Sequence, residues 1–212
     1  MSKTQKQYQK NNFILHNAQA KNTPIIILHG WGGSLHSLTP LGESLSSICD
    51  HPIYVLELPG FGKTRMPHQT LTTSDYANFV LEFITEKKLE TPIIIGHSFG
   101  GKILLDITSK NKYALERIIL INPSGIKPRN SLKKSVSKLL KKITTKKKAN
   151  NKVAKNLFYK YILRERDYLN AGSLKKTLST VVNEHYDEYV SSISIPTLII
   201  WGENDSYVPL WM

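Results

Sequence analysis

The chain has one cysteine, Cys49, in 212 residues. That excludes an internal disulfide framework and a multi-cysteine metal site, and it fits a reducing compartment. Cys49 closes an apolar series and is expected to be buried filler. Long hydrophobic runs are also missing. No segment reaches about 18 uninterrupted apolar residues, and Met1 to Asn12 is polar and basic without the apolar centre of a secretory signal. A cytoplasmic protein is the expectation. Histidine is absent from the C-terminal end, with none after His185. Acidic residues are missing from one stretch: between Ile126 and Leu163 there are thirteen Lys or Arg and no Asp or Glu. The other 16 basic residues balance 16 acidic ones, so the whole net charge of +13 belongs to that stretch. A charge confined to one segment argues against a specific nucleic-acid binder.

What is present describes an ordinary globular chain, 40% hydrophobic and 21% charged, long enough for one domain carrying an insert. Short apolar runs alternate with amphipathic stretches through the first 125 residues, the pattern of an α/β fold around a mostly parallel sheet. Strands are expected at Phe13 to His16, Ile25 to Leu28, Ile53 to Leu58, Ile93 to Ile95 and Arg117 to Ile121. Leu35, Leu38, Leu41, Leu45 and Ile48 fall at helical spacing. So do Tyr76, Phe79, Val80, Phe83 and Ile84, behind the helix-start signal Thr72-Thr73-Ser74-Asp75. A third helix should begin at Phe99 and bury Ile103, Leu104 and Ile107.

The pattern changes at the turn cluster Asn122-Pro123-Ser124-Gly125. Residues 126–194 read as a helical, basic insert, with Leu132, Val136, Leu139, Leu140 and Ile143 on one face and Lys141 to Lys155 as a lysine-rich loop. Residues 195–212 return to the core with the strand-like run Ile195 to Trp201.

Three motifs carry chemistry. Gly96-His97-Ser98-Phe99-Gly100 lies between a strand and a helix, where a tight turn presents a serine hydroxyl at the top of a sheet and at a positive helix end. His29-Gly30-Trp31-Gly32-Gly33 follows another strand, and such a loop can turn a backbone N–H toward a neighbouring site. The backbone N–H groups of Trp31 and Phe99 are the candidate pair of oxyanion donors. A phosphate-loop reading fails, because the loop has no Gly-Lys-Ser/Thr ending and Gly60-Phe61-Gly62-Lys63-Thr64 lacks the longer spacing. Trp201-Gly202-Glu203-Asn204-Asp205 ends the last strand with a carboxylate that could orient an imidazole.

In this order and spacing the segments resemble the α/β-hydrolase family. His29 to Gly33 resembles its oxyanion loop, Glu57-Leu58-Pro59-Gly60-Phe61-Gly62-Lys63-Thr64 its Asp-x-Pro-Gly-x-Gly-x-Ser segment, Gly96 to Gly101 its nucleophile elbow and Trp201 to Asp205 its acid turn. Glu57 departs from the usual aspartate. The resemblance implies a nucleophile at Ser98 and an acid at Asp205 rather than Glu203, with the insert as a helical cap over a small-molecule acyl substrate. Serine at position 98 is similar to the esterase, lipase, peptidase and carbon-carbon hydrolase branches. No metal or organic cofactor is implied.

The resemblance also implies a base histidine a few tens of residues after the acid, and no histidine follows Asp205. His97 is expected to point away from Ser98, His29 to serve the oxyanion loop structurally, and His185 to be a poor substitute. His16, His36, His51 and His68 are expected to be peripheral. A truncated reading frame or a fragment would explain the missing base, and would leave the last strand without the terminal strand and helix that cover it. The expectation is a serine hydrolase for a carboxylic ester or related acyl compound, impaired in this chain. The alternative is a non-catalytic binding protein that keeps the fold. The basic stretch Ser131 to Lys148 is read first as a solvated face packed through its apolar side, and otherwise as a means to attract acidic substrates or touch an anionic surface weakly.

Overall fold

The computed structural model describes residues 12–64, 69–110, 113–127, 172–205 and 208–210. The expectations for Leu132 to Ile143, Ser131 to Lys148, Lys141 to Lys155 and His68 lie outside these residues.

Six strands form one sheet in the order β1-β3-β2-β4-β5-β6. They are β1 (Phe13–His16), β2 (Ile25–Leu28), β3 (Ile53–Leu56), β4 (Ile93–His97), β5 (Arg117–Ile121) and β6 (Thr197–Ile200). Only the β1 pairing is antiparallel; the rest run parallel, with Ile25 opposite Ile53 and Ile93. The sheet is covered on both faces, which is why β2 and β4 are isoleucine runs without alternation. Ile25 and Ile27 pack under α1 (Leu35–Ile48), while Ile26 and Leu28 join the larger core formed with α2 (Thr73–Glu86) and α3 (Phe99–Ser109).

Helix α2 starts where the sequence signals it. The Thr72 side chain accepts from Asp75 N at 3.2 Å, and Asp75 Oδ2 accepts from Thr72 N at 2.7 Å, a reciprocal cap that satisfies two otherwise orphaned donors. Tyr76, Phe79, Val80, Phe83 and Ile84 are all buried, as are Ile103, Leu104 and Ile107 on α3. The apolar spacing of α1 overreaches at its last residue. Leu38, Leu41 and Leu45 pack on the sheet but Ile48 is 79% exposed, and Cys49 joins that core instead. Cys49 is half-buried rather than fully buried, its Sγ 3.1 Å from Leu45 O.

Residues 175–190 form α4 (Lys175–Asn183) and α5 (Asp187–Val190). Polar side chains tie them to the core. Lys102 on α3, only 4% exposed, donates from Nζ to Val181 O at the end of α4. Glu184 accepts from Thr73 N at 2.9 Å, and the Tyr186 hydroxyl donates to Asp106 Oδ1 at 2.8 Å. Lys110 pairs with the other Asp106 oxygen at 2.6 Å. Burial and then Asp106 push the Tyr186 phenol well above its usual range, so it stays a donor. Tyr186 N also donates to Gly125 O at 2.8 Å. β6 is covered much less: Leu198, Ile199 and Ile200 are 54%, 58% and 47% exposed at the sheet edge. Among the described residues no helix is long and apolar enough to cross a membrane.

A second polar knot holds the loop after β3. Glu57 is 2% exposed, and its carboxylate accepts from Asn12 Nδ2 at 2.7 Å, Leu35 N at 3.1 Å, Lys63 N at 2.8 Å and Thr64 N at 3.2 Å. A Cβ at Gly62 would lie 1.9 Å from Glu57 Oε1, so glycine there makes room for an acid longer than aspartate.

Two stability changes are expected. Burial raises the pKa of Glu57, but its donors outweigh that and hold the carboxyl below its usual value. Its stabilisation is therefore present at neutral pH and lost as pH falls below about 4.5. Glu57→Gln, which sets an amide against backbone N–H groups, should cost about 2–3 kcal/mol in denaturant unfolding at pH 7 and flatten that acid limb. Lys102 behaves oppositely: burial lowers its pKa to about 8, partly offset by Glu184. Keeping it charged disfavours the fold below pH 8, and that cost fades as pH rises toward the unfolded value. Melting from pH 7.5 to 10 should show the wild type gaining at least ~3 °C relative to Lys102→Met.

Candidate active site

The sheet order reverses between β2 and β4, and in open α/β sheets a crevice forms beyond the carboxyl ends of such strands. Ser98 follows β4 directly with φ 50° and ψ −107°, a strained conformation for a residue with a side chain. Backbone bonds hold it there. Ser98 N donates to Ile121 O at 3.0 Å, and Ser98 O accepts from Lys102 N at 3.1 Å and Ser124 N at 3.0 Å. The neighbouring glycines are required by contact. A Cβ at Gly96 would fall 2.6 Å from Gly100 O, one at Gly100 would fall 2.4 Å from Leu28 O, and one at Gly101 would fall 2.8 Å from Pro123 Cβ. Ser98 also serves as the N-terminal cap position of α3, so Phe99 N and the next amides stand at the positive helix end.

The loop after β2 packs onto this turn. A Cβ at Gly30 would meet His97 Nδ1 at 3.1 Å and Ser98 Cβ at 3.2 Å. The loop is tight, with Gly33 N donating to Gly30 O at 3.0 Å and Gly32 at φ +73°. His29, 1% exposed, lies beneath it. Its Nε2 accepts from Leu58 N at 3.1 Å, so Nδ1 carries the proton and donates to Gly30 O at 2.8 Å. Both ring nitrogens are occupied, and burial lowers the pKa, so His29 stays neutral as a strut. The Trp31 indole stands edge-to-face on Phe61 and Phe99, with ring centroids 5.1 Å and 5.4 Å away.

Asp205 reaches the same end of the sheet from β6. It is half-buried, whereas Glu203 is exposed. Asp205 Oδ1 accepts from Val208 N at 3.0 Å, and Asn122 Nδ2 donates to Oδ2. Asn122 takes φ +45° after β5, with its N donating to Ile200 O at 2.9 Å, which aims the amide across to the acid. In the sequence Asn122 stands out only as part of a turn. The available signal was an asparagine, a residue tolerant of positive φ, directly at a strand end.

His97 packs on the loop after β2. Its half-buried imidazole sits against Gly30, where burial lowers its pKa and the Asp205 charge raises it. The other histidines are elsewhere. His36 is exposed on α1, His16 lies on β1 beside Gly42, and His51 bonds Thr23 O at 2.8 Å before β2. His185 is exposed between α4 and α5. Among the described residues no group of three or more His, Cys, Asp or Glu is arranged to hold a metal ion.

Residues 23–144 match a family model described as alpha/beta hydrolase fold. Over 121 residues the chain is 32% identical to the 1-acylglycerol-3-phosphate O-acyltransferase ABHD5 of Rattus norvegicus, covering 55% of this chain and 34% of that protein. The matched part thus spans about a third of that relative's length. Over 217 residues it is 26% identical to a Haemophilus influenzae protein named "Putative esterase/lipase", covering 94% of this chain and 73% of the other. Among solved structures, an esterase from Exiguobacterium antarcticum superposes with a TM-score of 0.68 at 17% identity, covering 95% of this chain and 80% of that one. With that model matching more than half of its residues, the chain belongs to the alpha/beta hydrolase fold family.

Proposed function

We propose that this chain carries the acyl-transfer site of a serine esterase, with Ser98 as nucleophile, the backbone N–H groups of Trp31 and Phe99 as oxyanion donors, and Asp205 as the acid that orients a base. The carrying observation is the strained Ser98 at the start of α3 with Gly30 packed directly against it. That contact sets the loop of one donor beside the hydroxyl, while the other donor comes from the next residue of the helix. The substrate class is a small carboxylic ester or related acyl compound. The names of the two relatives, an acyltransferase and an esterase or lipase, support acyl chemistry.

A base must take the Ser98 Oγ proton as the Oγ–C bond forms and the carbonyl electron pair moves onto oxygen. Collapse then expels the alkoxide, which recovers that proton; water repeats the cycle on the acyl-serine and releases the acid. No histidine follows Asp205 within these 212 residues, and His29 has both nitrogens engaged. For these 212 residues, added imidazole is the base that tests the site.

An added imidazole should supply the missing step. With p-nitrophenyl butyrate, imidazole is expected to raise the rate saturably, about tenfold or more above its own solution catalysis. Ser98→Ala should remove that gain, and Asp205→Asn should reduce it about tenfold. Equal stimulation of Ser98→Ala and wild type would refute Ser98 as nucleophile and favour a non-catalytic binding protein on this fold.

A further inference from the structure

We propose that the Trp31 side chain is a positioning residue that fixes the separation and aim of the two oxyanion donors, an inference that rests on the Ser98 site proposed above. Both donors are backbone groups, and the residues that carry them touch through their own rings, Trp31 edge-on to Phe99 at 5.4 Å and 73°. Between Gly30 and Gly33, Trp31 is the only residue with a side chain. A peptide flanked by glycines has wide conformational freedom, so its N–H direction needs an external hold. The Gly33 to Gly30 backbone bond closes the turn, but Gly32 has nothing within 4 Å of its Cβ direction. His29 holds Gly30 O and lies against Gly33, and the indole adds a grip at Trp31 itself, the residue that carries the donor.

That grip ends on rigid supports. Phe99 is 3% exposed and meets the ring of Tyr76 at 5.0 Å and 87°, and the Tyr76 hydroxyl donates to Pro59 O at 3.2 Å. Phe61, 7% exposed, takes the other side of the indole at 5.1 Å and 87° and also meets the His29 ring at 5.4 Å. Phe61 belongs to the loop pinned by Glu57 through Lys63 N and Thr64 N. Edge-to-face pairs are directional as well as attractive, so the ladder sets angles and does more than fill space. The chain of rings runs from α2 through α3 to the loops after β2 and β3, and Trp31 is where it meets the proposed donors.

The test is steady-state hydrolysis of p-nitrophenyl butyrate by the whole chain with saturating imidazole, separating kcat from KM. Trp31→Ala should lower kcat about tenfold or more while KM changes less than about twofold, since the loss falls on the transition-state oxyanion. Trp31→Phe, which keeps an aromatic edge, should recover at least about a third of kcat. Phe61→Leu, which keeps apolar volume without a ring, should lower kcat about threefold. A raised KM with unchanged kcat would make the indole a wall of the substrate pocket and overturn the proposal. Unchanged kinetics in Trp31→Ala, or equal kcat in the Phe and Ala variants, would overturn it too. If Trp31→Ala does not fold, Trp31→Phe and Phe61→Leu decide on the same criteria, with full kcat in Phe61→Leu counting against the ladder. A wild type without imidazole stimulation refutes the Ser98 site itself and the ladder's role with it, whereas a stimulated wild type matched by Trp31→Ala refutes the ladder alone.

Discussion

Backbone meets backbone where α3 leaves β4. At Gly100 the helix approaches Leu28 O so closely that a single methyl group would sit 2.4 Å from that oxygen, and at Gly96 the same addition would sit 2.6 Å from Gly100 O. Only hydrogen atoms fit. This approach brings the first turn of α3 down onto the ends of β2 and β4, forces the positive φ of Ser98, and leaves the Ser98 side chain at the crevice. A non-glycine residue with φ 50° carries strain of order 1–3 kcal/mol, so the surroundings must over-determine it. Three backbone hydrogen bonds at Ser98 and the contact with Gly30 do so.

Around that approach, buried polar groups act as pins. His29 and Glu57 are 1% and 2% exposed, and each is surrounded by partners that suit one protonation state, neutral for the imidazole and ionised for the carboxylate. A buried polar group without partners would cost the fold; these have theirs, so they specify loop geometry that apolar packing alone would leave loose. Asn122 does the same for Asp205 across the ends of β5 and β6. From α3, Lys102 and Asp106 hold Val181 and Tyr186, and burial lowers the Lys102 pKa to about 8, partly offset by Glu184.

The parts of this structure legible in the sequence are those written in short-range pattern. Isoleucine runs gave β2 and β4, Thr72 to Asp75 gave the start of α2, and the glycines around Ser98 gave the turn. The parts that were not legible depend on which segments meet. Asn122 and Asp205 are far apart in sequence, as are Lys102 and Val181, and no periodicity encodes either pairing. Ile48 shows the converse, since helical spacing marks it for the core and it is exposed, with Cys49 packed there instead. His97 likewise meets segments distant in sequence, packing on Gly30 in the field of Asp205.

The most direct test of Ser98 as the nucleophile is intact-mass measurement of the chain after exposure to a fluorophosphonate, with the adduct mapped by peptide sequencing. One adduct on Ser98 is expected, forming faster when imidazole is added. An adduct that persists in Ser98→Ala, or none on Ser98 even with imidazole present, would contradict it.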